Sequence, residues 1–143
     1  MNIKQALKLK KKLASNLNRE FGKVQSYNSI EEGTNAPYSA KESLKKWLKM
    51  SDELIELKTK IHKANAPVYD KIFRMSELKN QLTFLKSLDC TEGKHYDRYS
   101  RETPINKVVE ISLLEKDKMV LAMEEEIERI QEELDHHNAT TSI

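Results

Sequence analysis

Residues 112–138 read SLLEKDKMVLAMEEEIERIQEELDHHN, and the spacing of their apolar side chains decides the fold. Leu113, Val120, Ile127 and Leu134 recur every seven residues, with Met123 and Ile130 three places beyond the second and third of them. That repeat is a coiled-coil seam on a helix. Ser112 and Glu115 have the serine-x-x-glutamate spacing of a capping box, so the helix is predicted to start there and to run to about residue 137, beside His136 and His137.

Working outward, the same criteria predict three more helices. Asn2 suits a cap, and Ile3, Ala6, Leu7, Leu13, Leu17 and Phe21 follow at helical spacing until Gly22, a stop signal, giving a helix over 2–21. Ser39 and Glu42 repeat the capping-box spacing before Leu44, Trp47, Leu54, Ile61 and their neighbours, giving a second helix over 39–62. Asn65 and Pro67 fit a helix start, and Val68, Ile72, Met75, Leu78, Leu82 and Leu85 carry a third over 66–88. The short connection between the second and third predicts an antiparallel hairpin. The expected fold is all-α, a single domain over 1–143: an elongated four-helix bundle of helical hairpins with coiled-coil seams. Long linkers follow helix 1 and precede helix 4. The linker at 23–38 has no sustained period and has the length of a mobile segment or lid. In the second linker, Val108, Val109 and Ile111 form a short apolar run suited to an extended strand that pairs with its counterpart in another subunit.

Composition narrows the function classes. Of 143 residues, 34% are charged and 38% hydrophobic, the balance of helices with narrow apolar stripes, which gain by sharing seams with a second copy; a homo-oligomer is expected. No apolar run approaches the length of a membrane span, and the lysine-rich start lacks a signal peptide's apolar core. Cys90 is the sole cysteine, so no disulfide forms within the chain and a cytoplasmic, reducing location is expected. The net charge is only +2, but its sign is uneven: Lys8, Lys10, Lys11 and Lys12 crowd helix 1, while Glu124, Glu125, Glu126, Glu128, Glu132 and Glu133 crowd helix 4. If the first and last helices lie antiparallel, these blocks steer their pairing, a reading preferred over nucleic-acid binding by the lysines.

The common catalytic motifs are missing, and three glycines are too few for a glycine-rich phosphate cradle. An enzyme is not expected, and no cofactor is implied. Glu133 and His137 stand four apart on one helix face, but His136 and His137 diverge by about 100 degrees, and a metal site is not expected. Cys90 has only His95 nearby as a base and reads as a packed small residue.

One segment differs in kind. Lys94, His95, Tyr96, Arg98, Tyr99 and Arg101 interleave cations with aromatic rings, and Lys107 follows. Arginine and lysine bind phosphate oxygens, and tyrosine stacks on a base or donates a hydrogen bond. With the capped start of the last helix nearby, these residues suit a nucleotide or cyclic nucleotide. The alternative is that the tyrosines pack under a loop and the arginines pair with glutamates. The expected function is a non-enzymatic oligomeric protein that holds or sequesters such a ligand; the competing one is a coiled-coil interaction module without a small ligand.

Ala6 and Leu7 in the opening helix, Glu32 and Gly33 in the linker, the turn from Ile61 to Asn65, the run Arg98, Tyr99, Ser100, Arg101, and the ending from Gln131 through Asn138 to Thr140 and Thr141 together resemble a family of small bacterial helical proteins often labelled septicolysin. Ala139 stands where the family's ending has an aromatic residue, and the second hairpin turn is shorter. The resemblance implies a helical fold and an intracellular protein, not an activity; with one cysteine and no spanning helix or strand hairpin of membrane type, nothing supports pore formation.

Overall fold

A computed structural model describes residues 1–96, 98–99 and 103–143. The fold is mainly α-helical, and the described residues form four long helices and one small two-stranded sheet: α1 (Ile3–Tyr27), α2 (Ala40–Ala64), a 3-10 turn (Ala66–Val68), α3 (Tyr69–Ser87), β1 (Gly93–Tyr96), β2 (Pro104–Lys107) and α4 (Leu113–Thr140). The chain divides into two compact units, Met1–Val68 with Asp135–Ile143, and Tyr69–Leu134. Among the described residues no helix is long and apolar enough to cross a membrane.

The first unit is built on α1 and α2. Asn2 opens α1 with a full capping box: its side chain accepts the Gln5 backbone N–H at 2.9 Å, and the Gln5 side chain accepts the Asn2 N–H at 3.0 Å. Ser39 accepts the Glu42 N–H at 3.3 Å and starts α2. The two helices run antiparallel, since Ala6 near the start of α1 is buried with Leu57 and Ile61 near the end of α2, while Phe21 meets Trp47 with ring centroids 5.6 Å apart. The 28–39 connection is tied down where it rejoins: the Tyr38 ring lies 5.9 Å from that of Tyr27, and the Lys23 ammonium sits 4.2 Å from its centre. Beneath it Lys23 bonds Glu20 at 3.1 Å, which holds the Glu20 carboxyl below its ordinary range, helped by Ser43 and Lys46.

Two predicted boundaries fail here. Gly22 does not end α1, which continues to Tyr27; the glycine costs about 1 kcal/mol relative to alanine inside a helix, and the contacts of Phe21, Lys23 and Tyr27 with α2 and its entry outweigh that. The linker is correspondingly shorter than 23–38. Asn65 closes α2 instead of opening the next helix: its N–H donates to Ile61 and His62 carbonyls and its own carbonyl accepts from Val68, shaping the 3-10 turn before α3 begins at Tyr69.

The unit is finished by the far end of the chain. Ser142 pairs antiparallel with Asn2. Ile3 donates to the Thr141 carbonyl at 3.1 Å, Ile143 donates to the Met1 carbonyl at 3.0 Å, and the Asn2 amide donates to the Ala139 carbonyl at 3.1 Å. Ile143 packs against Ala6, Leu57 and Ile61, and Ile3 is wholly buried.

In the second unit α3 and α4 are antiparallel. Lys71 at the start of α3 pairs with Glu133 late in α4 at 2.6 Å; Arg74 pairs with Glu126, and Lys86 at the end of α3 with Glu124 at 3.1 Å. The glutamate block of α4 thus draws its cations from α3. Lys116 adds a cap, its ammonium donating to the carbonyls of Lys86 and Leu88 at 3.1 and 2.8 Å. Met75, Leu78, Leu85, Ile130 and Leu134 are buried; of the predicted seam, Val120, Met123 and Ile127 are half-buried and Leu113 is exposed. Ser112 caps α4, accepting from Glu115 at 3.1 Å. Among the described residues of the chain the strands are β1 and β2, which pair with each other; residues 108–111 pair with neither, and Val108 is 86% exposed.

Candidate functional site

The segment singled out by its cations and rings forms the β1–β2 hairpin. The strands are antiparallel, with Gly93 opposite Lys107, Lys94 opposite Asn106, His95 opposite Ile105 and Tyr96 opposite Pro104. Gly93 enters at φ 93°, a left-handed conformation that glycine adopts without strain. Because side chains alternate along a strand and partners in register share a face, Lys94 and Tyr96 lie on one face with Asn106 and Pro104. His95 and Lys107 lie on the other with Ile105. Arg98 and Tyr99 belong to the connection beyond Tyr96, where Tyr99 is 93% exposed. Arg101, expected in the site, lies outside the described residues, as does Ser100.

This register divides the expected cluster, and the halves differ electrostatically. On the His95 and Lys107 side stands Asp89. Its carboxylate bonds Thr91, including the backbone N–H at 2.9 Å, and these bonds hold it below its ordinary range, with Lys107 and His95 contributing. His95 also contacts the Glu92 carbonyl through Nε2 at 3.3 Å. Two of the expected ligand residues, Lys107 and His95, therefore already lie near a carboxylate of their own chain. The cavity at the base of the hairpin, about 270 Å³, is lined by Leu88, Asp89, Val108, Val109, Glu110 and Ile111 and presents two carboxylates and no cation. At the entry of α4, Ser112 takes the Glu115 N–H, and Glu115 in the first turn already sets a negative charge at the positive end of the helix dipole. What remains for an anion is the Lys94 and Tyr96 face with Arg98 and Tyr99. These side chains are exposed, and among the described residues no ion pair engages either cation.

The histidines of α4 have other partners. His137 Nε2 is 3.2 Å from the Ala64 carbonyl and Nδ1 is 3.1 Å from the Thr141 hydroxyl, while Glu133 is paired with Lys71. Among the described residues no three histidine, cysteine or acidic side chains are grouped to hold a metal ion. Cys90 is a half-buried free thiol.

The first unit holds a second cationic place. Lys4, Lys8 and Lys11 line an open groove of about 440 Å³ with Leu7, Asp135, Asn138 and Ala139. Residues four and three apart share a helix face, so the spacing was the available signal; read as an undivided run with Lys10 and Lys12, it was hidden.

No protein-family model, curated protein or solved structure matches the chain. Its own geometry defines its class: a helical protein displaying a cationic and aromatic β-hairpin.

Proposed function

We propose that the chain is a non-enzymatic, cytoplasmic binding protein that works as a homo-oligomer, its four helices forming a bundle with coiled-coil seams. Its hairpin takes a phosphate-bearing ligand such as a nucleotide or cyclic nucleotide and holds or sequesters it. The observation that supports this reading is that Lys94 and Tyr96 share one face of a short hairpin and that Arg98 and Tyr99 lie in the connection beyond Tyr96, all four exposed. Cations grip phosphate oxygens and tyrosines cover a base. A surface this open binds tightly only when a second surface closes over the ligand, which is the reason for including another subunit. The resemblance to the septicolysin-labelled family fits a helical protein of this kind and supplies no activity.

Native mass spectrometry of freshly purified protein reads subunit number and retained ligand together. A bound nucleotide that is lost in the Arg98→Ala, Arg101→Ala double variant is the expected result. Equal retention by parent and variant would remove the hairpin from the reading.

The competing reading, a protein-interaction module, is favoured by the apolar surface of α3 and α4. Phe73, Phe84, Leu113, Leu114 and Leu121 are all more than half exposed. A ligand-free protein that pairs through these side chains would support it.

A further inference from the structure

Helix α1 carries six lysines, one arginine and a single carboxylate, Glu20, and most of the cations lie in its N-terminal half. A helix start is the positive end of the backbone dipole, so lysines there raise the helix's energy. The first turn has no acidic residue to offset them. Of the six glutamates that charge balance suggested as their partners, three are held from α3, with Lys71, Arg74 and Lys86 on Glu133, Glu126 and Glu124. Elsewhere in the α1–α2 unit Glu20 pairs with Lys23, Glu42 with Lys45 and Glu56 with Lys60. Lys4, in the first turn, opposes the dipole of its own helix, and Lys4, Lys8 and Lys11 together line one groove.

We infer that the groove lined by Lys4, Lys8, Lys11 and Asn138 is a second anion site, and that it takes a short linear phosphate chain. Lys4 to Lys11 spans about 10.5 Å of helix at 1.5 Å per residue, so the ammonium groups meet successive charges along an extended ligand, not a single compact anion. The volume, about 440 Å³, falls within the usual range for small-ligand sites. Asn138 adds an amide donor, and Leu7 and Ala139 give the walls an apolar part. Asp135, which has an interaction of its own, contributes one negative charge, so the lining favours ligands carrying two or more. The lining has no aromatic side chain to stack on a base. The phosphate chain itself is therefore what is recognised, whether it comes from a nucleoside triphosphate or from inorganic polyphosphate.

Inorganic triphosphate and ATP are titrated by calorimetry into the full chain carrying Arg98→Ala and Arg101→Ala, which keeps the hairpin out of the measurement. The two are expected to bind alike and more weakly as salt rises. Lys4→Gln, Lys8→Gln and Lys11→Gln each weaken binding about two- to fivefold, the range of an exposed charge pair. Asp135→Asn tightens it. Lys4→Gln melts at or above the parent, because the removed first-turn charge opposed the helix dipole. The inference is overturned by glutamine variants that bind as the parent does, by no triphosphate binding at low salt, or by a single-stranded oligonucleotide that binds through the same lysines while triphosphate does not. None of these results bears on the hairpin, whose own test uses retained ligand in the parent.

Discussion

Replacing Leu57 by alanine tests whether the α1–α2 unit is a specific core or merely two amphipathic helices in loose contact. Leu57 is 7% exposed and lies with Ala6 and Ile61, covered by Leu13 and Ile143. The substitution removes three carbons, about 2.4 kcal/mol at about 0.8 kcal/mol each. A cavity usually adds to such losses, but here an open groove of about 280 Å³ lined by Leu13, Leu57 and Ile143 adjoins the site, so neighbours can close in. The expected loss is about 2–3 kcal/mol, measured by urea unfolding followed by circular dichroism. Leu48→Ala, at a position 51% exposed on the same helix, should cost under about 1 kcal/mol. Ile143→Ala keeps the N–H that bonds Met1 and removes only packing, so a double-mutant cycle with Leu57→Ala should give a coupling of about 0.5–1.5 kcal/mol. Equal losses at Leu57 and Leu48, with strict additivity between Leu57 and Ile143, would refute the packing described.

Three further outcomes are expected. Gly22→Ala should stabilise the protein by about 0.5–1 kcal/mol in the same urea assay, since the position is helical and an added methyl group meets nothing within 4 Å; destabilisation would contradict that. Arg74→Gln should matter at neutral pH and progressively less in acid. The bond to Arg74 lowers the Glu126 pKa, so the pair's contribution is fully present above the ordinary glutamate pKa and lost as pH falls through the lowered one. The urea midpoints of parent and variant should therefore stay apart down to the ordinary glutamate pKa and converge as pH falls through the lowered one, and a constant gap down to strong acid would be the wrong result. Lys116→Met should cost about 1 kcal/mol and speed amide hydrogen exchange at the end of α3, because it strips the cap from the Lys86 and Leu88 carbonyls; unchanged exchange there would count against the cap.

The parts of the fold legible in the sequence are those decided within one turn of chain. Asn2, Ser39 and Ser112 each accept an N–H three residues on, and their positions followed from residue type alone. Gly22 misled because its helix is kept by rings that come from α2 and its entry, Trp47 and Tyr38, far along the chain. The pairing of the final residues with the first three left no trace in the pattern, since three residues have no period and their partners are nearly the whole chain away. In the hairpin, composition marked out the segment but not its division into two faces. Which of Lys94, His95, Tyr96 and Lys107 share a face depends on register, and register rests on pairing that composition does not encode.

The bridge between Asn2 and Ser142 also sets an order of events during synthesis. All of the second unit, Tyr69–Leu134, is made before the last nine residues of the first, Asp135–Ile143. On a ribosome the chain emerges from its N-terminal end, so α1 and α2 are out early but lack Ile143 on their core and the backbone partners of Met1 and Ile3. The unit that starts first is completed last, and until then the edge of its first residues and the apolar side of Ala6, Leu57 and Ile61 stand open to any other chain in the neighbourhood.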